Sequence, residues 1–253
     1  MTTIFTCQDR FDSMMTCIYD AWASRLGHSN VRLMTEPIGT PELFCEYRSV
    51  RADSEKTRKV IRSIRGKIST RAYIMVYRAA MSCQPDKLDA IYRFLIAGFH
   101  YGPSVIHYLK EPAVMRIFDI DRKVANEAHS FNEFIRFTDS PEHILVSRIS
   151  PKSNVLTLVA PHFADRMPSE NWMIIDDTRH IAIVHPADQD YYLTSLSPEE
   201  TERLTREYDD PYVSLWKGFF THIGIKEREN PRCQRNMLPL WYRRHMTEFI
   251  SNN

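Results

Sequence analysis

Glycine is scarce in this sequence, with seven residues among 253, at positions 27, 39, 66, 98, 102, 218 and 224. None of them builds a G-x-G-x-x-G turn or a phosphate loop, so dinucleotide and P-loop folds are not expected. The five cysteines, at 7, 17, 45, 83 and 233, are odd in number and never spaced C-x-x-C. That argues against a disulfide framework or a thiolate metal site and points to a reducing cytoplasm. Net charge is also missing: 33 Lys and Arg stand against 32 Asp and Glu, leaving +1. Attraction to nucleic acid or to a membrane must then come from local clustering. No apolar run approaches membrane-spanning length, and Met1-Thr2-Thr3-Ile4-Phe5 has no basic region followed by an apolar core. Neither a membrane anchor nor a signal peptide is expected.

What is present is enough to fold. Hydrophobic residues make up 43% and charged ones 26%, which allows a sizeable core in one large domain or two small ones. Residues 2–7 read as a strand. Asp9 is placed to cap a helix to about 26, with Phe11, Met14, Met15, Ile18, Tyr19 and Trp22 at helical spacing. Pro37, Gly39 and Pro41 interrupt the next stretch before a strand over 44–50. A helix over 54–69, with Ser54 as its cap, turns Val60, Ile61, Ile64 and Ile68 inward. It carries Lys56, Arg58, Lys59, Arg62, Arg65 and Lys67 outside. Such a face is either simply solvated or a phosphate-contacting stripe. Helices are expected over 70–82, 85–101, 104–109 and 112–131, and Gly98-x-x-x-Gly102 signals close helix packing or a stop.

Beyond residue 131 the period falls to two. Strands over 134–139 and 144–149 join through Ser140-Pro141. A second hairpin covers 172–176 and 180–185, residues 191–193 add an edge, and 154–163 is a helix between the hairpins. Ser197 and Glu200 mark a capped helix that pauses at Asp209-Asp210-Pro211 and resumes over 213–223, where Leu215, Trp216, Phe219 and Phe220 look like core. The expected class is α+β: a mainly helical region 1–131 with short N-terminal strands, then an antiparallel sheet with helices over 132–253. The two could equally form one continuous domain.

The densest polar stretch is residues 224–244. Arg228, Arg232, Arg235, Arg243 and Arg244 offer forked donors for phosphate or carboxylate. Asn230 and Gln234 can donate and accept at base edges, and Trp241 and Tyr242 offer flat faces to an unstacked base. Arg136 and Arg166 could extend the track. The opposing reading makes Trp241 a core anchor, pairs Glu227 and Glu229 with the arginines, and uses the amides as caps. Elsewhere His129, His162, Asp176 and Glu227 could form an acid/base site if the fold gathered them, although H-E-x-x-H and G-x-S-x-G are both absent.

Several motifs, in order, resemble a known family. They are His129-Ser130-Phe131 with Phe134-Ile135-Arg136-Phe137, Ala160-Pro161-His162-Phe163, Glu227-Arg228-x-Asn230-Pro231 with Gln234, and Met237-x-Pro239 with Tyr242. Over nearly the whole chain this is similar to a bacterial family of uncharacterised DNA-metabolism and DNA-repair proteins. The resemblance implies association with a radical SAM protein of DNA modification or repair, encoded beside members of the family. Some members are fused to a uracil-DNA-glycosylase-type domain on their C-terminal side, which is not expected here because the chain stops at Asn253. The chain has no C-x-x-x-C-x-x-C signature of its own, so no cofactor is expected. It departs from the family in running Trp241-Tyr242 where members run Tyr-Trp, and in the more basic Arg243-Arg244.

Together these readings lead to an accessory protein that binds single-stranded or distorted DNA beside a radical SAM or glycosylase partner. Two rivals stand beside it. One is an enzyme acting on a damaged base or nucleotide through the histidines and carboxylates; the other is a protein-interaction scaffold with the aromatics as interface anchors.

Overall fold

The computed structural model describes residues 2–140, 142–205 and 210–250. Pro141 and Asp209, placed above in turns, lie outside them. The chain divides into two compact units, Met1–Asn126 and Glu127–Asn253.

In the first unit, strands β1 (Thr2–Cys7), β2 (Val31–Thr35) and β3 (Cys45–Ser49) form a sheet in the order β2-β1-β3, parallel throughout. β1 is central and buried along nearly its whole length, as a parallel strand covered on both faces must be. Helix α1 (Phe11–Ala23) is the crossover from β1 to β2. Its N-cap is Arg10 and makes no side-chain cap; Asp9 instead pairs with Lys87 at 2.6 Å. Helices α2 (Ser54–Lys67), α3 (Thr70–Met81) and α4 (Lys87–Tyr101) pack next. Asp53, not Ser54, caps α2, its carboxylate accepting from the Glu55 and Lys56 amides at 2.8 and 2.9 Å. Both meanings of the Gly98/Gly102 spacing hold. A methyl at Gly98 would lie 2.5 Å from Ile68 Cδ1, and Gly102 ends α4 with φ +64°.

Helix α5 (Pro112–Phe134) follows a 3-10 segment at Gly102–His107 and runs from the first unit into the second. Phe134 therefore closes a helix and opens no strand. The second unit holds a five-stranded sheet in the order β4-β5-β6-β7-β8, built from Thr138–Asp139, Leu145–Ile149, Trp172–Asp176, Ile181–His185 and Tyr192–Ser195. Most neighbours are antiparallel, as expected, but β5 and β6 run parallel. The physical reason is α6 (Leu156–Arg166) between them: a helical crossover returns the chain in the same direction. One face of this sheet, with α6 and the end of α5, encloses Phe131, Leu156, Val159, Phe163, Trp172, Ile174 and Ile183. The architecture is α+β.

Three short helices complete the unit, each with a local start signal. α7 (Pro198–Leu204) has the full capping box of Ser197 and Glu200. α8 (Pro211–Ile223) is capped by Asp210, and α9 (Pro231–Met237) by Asn230, each with proline in its first turn. Single 3-10 turns follow at Leu240–His245 and Thr247–Phe249. No helix among the described residues is long and apolar enough to cross a membrane.

Candidate functional site

The C-terminal stretch separates its rings from its guanidiniums. Tyr242, 9% exposed, belongs to the core of the second unit, edge-on to Phe131 at 5.0 Å and to Phe134 at 5.2 Å. Trp241 is half-buried, stacked on Tyr242, with Lys152 Nζ 5.2 Å over its ring. The loop that delivers Lys152 is clamped: Glu127 accepts from the Lys152 and Ser153 amides, and Arg179 donates to the Pro151 and Lys152 carbonyls. Neither ring stands free to receive a base, which corrects the stacking role given to Tyr242. The rings hold the segment onto the core instead.

The arginines divide as well. Arg136 is consumed, donating to Glu248 at 3.0 Å and to the Glu133 and Ile135 carbonyls. Arg243 lies 4.6 Å from the Phe249 ring centre and donates to the Leu238 carbonyl. Both are therefore withdrawn from the expected phosphate track. Arg228, Arg235 and Arg244 are exposed, as are Arg232 and Arg166, and none of the five is held in an ion pair among the described residues. Glu227 and Glu229 are exposed and likewise unpaired there. Gln234 projects from α9 into solvent, while Asn230 spends its carbonyl oxygen on the Cys233 amide at 3.0 Å. Asn230 is thus a cap first, with only its NH2 left over.

The four candidate catalytic residues are not brought together. His129 is exposed and pairs with Glu133 one turn along α5. His162 is exposed on α6, edge-on to Phe163. Asp176 is fully buried and accepts from the Thr178 and Arg179 amides and from Arg179 Nη1 at 2.8 Å, so it builds the β6–β7 turn. Burial raises its pKa and Arg179 opposes that rise. Glu227 lies on the exposed C-terminal segment. No hydrogen bond or ion pair joins any two of the four among the described residues.

Sequence reasoning missed a polar group beyond the ends of parallel strands β5 and β6. His245 Nε2 lies 2.8 Å from Ser150 Oγ and 3.4 Å from Asp177 Oδ2, and Arg148 holds Asp177. Burial lowers the His245 pKa, against the pull of Asp177. Hydroxyl and carboxylate address the same ring nitrogen, whereas activating a nucleophile requires them on opposite nitrogens. The group is a structural clasp. Only the 150–153 loop, with its Ser, Pro and Lys, hinted at it in the sequence.

Sequence reasoning also misjudged α8. Leu215 is 67% exposed, Phe219 54% and Tyr212 76%, and Trp216 and Phe220 are also exposed. These residues do not form core. A cleft of about 450 Å³ runs along this helix, lined by Arg136, Phe137, Tyr212, Leu215, Trp216 and Phe219. The second unit thus presents exposed rings on α8 and, on the segment that follows it, guanidiniums without an ion pair among the described residues.

In the first unit, Lys56 pairs with Asp20 and Lys59 with Glu55. Arg58, Arg62, Arg65 and Lys67 are exposed, without a carboxylate partner among the described residues. A cleft of about 630 Å³ in this unit is lined by His28, Asp89, Arg93, His100, Glu111 and Arg116, among others. Its guanidiniums are neutralised, Arg93 by Asp89 and Arg116 by Asp86.

Compared with known families, residues 85–248 match one described as a domain of unknown function. No curated protein matches the chain.

Proposed function

We propose that this chain, which belongs to the DUF4130 family, is an accessory protein of DNA metabolism and repair that binds single-stranded or distorted nucleic acid through its second unit. The observation that carries the reading is that Arg228, Arg232, Arg235 and Arg244 stand exposed and without carboxylate partners among the described residues, in a chain of net charge +1. Unpaired guanidiniums are the groups that fork onto phosphate oxygens and release counterions. The stacking role passes from Trp241 and Tyr242 to the exposed rings of Tyr212 and Phe219 on α8, which offer faces of the kind on which bases lie, while Trp216 beside them is covered by the Arg136 guanidinium 5.7 Å from its ring centre. The motif resemblance supplies the radical SAM or glycosylase partner beside which the protein acts.

The test is fluorescence anisotropy with a labelled single-stranded oligonucleotide at two salt concentrations, comparing the wild type with Arg228→Gln/Arg235→Gln. The variant is expected to bind more weakly and to lose about 0.7 of the salt slope for each phosphate contact removed. Unchanged binding by a folded variant rejects the assignment.

A second reading is favoured by one observation. Tyr212, Leu215, Phe219 and Ile223 of α8 are each more than half exposed, and apolar side chains of this kind serve as interface anchors. In that reading the protein is a scaffold for its partner. Co-purification with the radical SAM protein after nuclease treatment, lost on Trp216→Ser/Phe219→Ser, supports it.

A further inference from the structure

The two edges of the first unit's sheet are finished differently. On β2 the outward backbone groups are occupied by α4: the Leu33 amide donates to Asp89 at 3.2 Å, and the Val31 carbonyl accepts from Arg93. An edge closed in this way does not pair again. On β3, the other edge, nothing corresponds. Just past it, the Val50 amide donates to the Thr6 carbonyl next to β3's only neighbour, β1, at 2.8 Å, and because backbone groups alternate along a strand, Glu46 and Arg48 also turn theirs toward β1. Cys45, Tyr47 and Ser49 therefore turn their amides and carbonyls outward, and no partner meets those groups among the described residues.

Open edges are ordinarily protected by proline, by lysines or by a bulge. β3 has none of these. It reads Cys45-Glu46-Tyr47-Arg48-Ser49, with Glu46 and Arg48 on one face, paired at 2.9 Å and both solvent-accessible. Tyr47 is fixed, its hydroxyl accepting from the Glu42 amide at 2.8 Å. Just before the strand, Leu43 and Phe44 are 83% and 90% exposed. This charge order is complementary to itself when read in reverse. Two copies related by a two-fold axis bring their edges together antiparallel, and the outward groups on 45, 47 and 49 allow only odd-numbered residues to exchange hydrogen bonds. A centre at Glu46 sets that carboxylate against its own copy, a centre at Arg48 sets guanidinium against guanidinium, and a centre at either end leaves little overlap. A centre at Tyr47 sets Glu46 opposite Arg48 twice, Cys45 opposite Ser49 and Tyr47 opposite itself. Opposite charges stabilise such cross-strand pairs and like charges destabilise them.

We infer that β3 is the interface of a homodimer, paired antiparallel with β3 of a second copy about a two-fold axis at Tyr47, so that two three-stranded sheets become one. The pairing gives the outward groups of Cys45, Tyr47 and Ser49 their hydrogen bonds. It turns the Glu46–Arg48 ion pair into an alternating cluster of both copies' charges, and it brings Leu43 and Phe44 beside Val50 of the second copy, where they find cover. A strand from another protein would have to carry the matching charge order, which a second copy always has. The inference uses no residue of the nucleic-acid surface proposed above and stands without it.

The experiment is sedimentation velocity on the full chain at concentrations up to about 100 μM, which detects association with a Kd well into the micromolar range. The wild type is expected to dimerise. Glu46→Arg and Arg48→Glu each set like charges opposite one another twice, and each should weaken association about tenfold or more. Mixed together, the two variants regain opposite charges at both positions and should form a heterodimer about as tight as the wild-type dimer. A folding defect in either variant cannot produce that rescue. As a second measurement, Ser49→Cys oxidised with copper phenanthroline should crosslink to Cys45 of the second copy, because hydrogen-bonded antiparallel neighbours lie about 5.5 Å apart between Cα atoms, within disulfide reach; peptide mapping identifies the link. A wild type that is monomeric throughout the concentration range overturns the inference. A dimer that both charge variants leave intact overturns it too, and loss of that dimer on Phe219→Ser would move the contact to α8.

Discussion

Trp241 is stacked on Tyr242 with ring centroids 3.7 Å apart and planes at 30°, and Tyr242 is the deeper of the two, closing the core of the second unit. Consecutive residues have thus taken one job, gripping the core, so that Arg235 before them and Arg244 after them can face outward.

Tyr242 is accordingly expected to matter for stability and not for binding. Tyr242→Ala opens a cavity beneath Phe131 and Phe134 and should cost about 3–5 kcal/mol in a denaturant titration. Tyr242→Phe keeps the ring and removes only the hydroxyl, which should cost no more than about 1 kcal/mol. Its affinity for single strands should equal that of the wild type; a loss there would restore the ring to the interface.

The exposed helix α8 makes the opposite demand. Leu215→Ser and Phe219→Ser should each change the unfolding free energy by less than about 0.5 kcal/mol, because both side chains lie mostly in solvent. A buried phenylalanine in their place would cost several times as much. Thermal or urea unfolding distinguishes the two, and a large loss would mean that this face is covered in the free protein.

The His245 clasp sets a pH dependence. Its folded-state pKa lies below the ordinary 6.5 because burial disfavours the imidazolium. Between the two values the unfolded chain binds more protons than the folded one, so stability rises with pH across that window. The contribution is full above pH 6.5 and falls as the pH drops toward the lower folded-state value. Each unit of depression is worth about 1.4 kcal/mol. Urea midpoints measured above pH 6.5 and about one unit below it should show the decline, and His245→Gln should flatten it, with Asp and Glu titrating mostly at lower pH.

The local signals were legible where one residue pair suffices: Ser197 and Glu200 close a capping box within four residues, and the spacing of Val60 and Ile64 needs nothing beyond α2 to mark an inner face. Helix α9 within the polar C-terminal stretch was not read as a helix, and the caps expected of Asp9 and Ser54 fell one residue away, at Arg10 and Asp53. The candidate catalytic residues were not legible in this way. Asp176, His129 and His162 are chemically suited to proton transfer wherever they fall, and only the placement of β6, α5 and α6 shows that the first is a turn clasp and the others stand apart.

Sequence alone determined that this is an α+β chain with a locally basic helix and an arginine-rich C-terminal stretch, since periodicity, capping and charge density are properties of neighbouring residues. Tertiary structure decided the rest. It made β5 and β6 parallel, because a helix must carry the chain back between them. It put Tyr242 inside and left the rings of α8 outside. An aromatic side chain has the same affinity for a core as for a partner, and which one it meets depends on what surface the remainder of the chain brings against it.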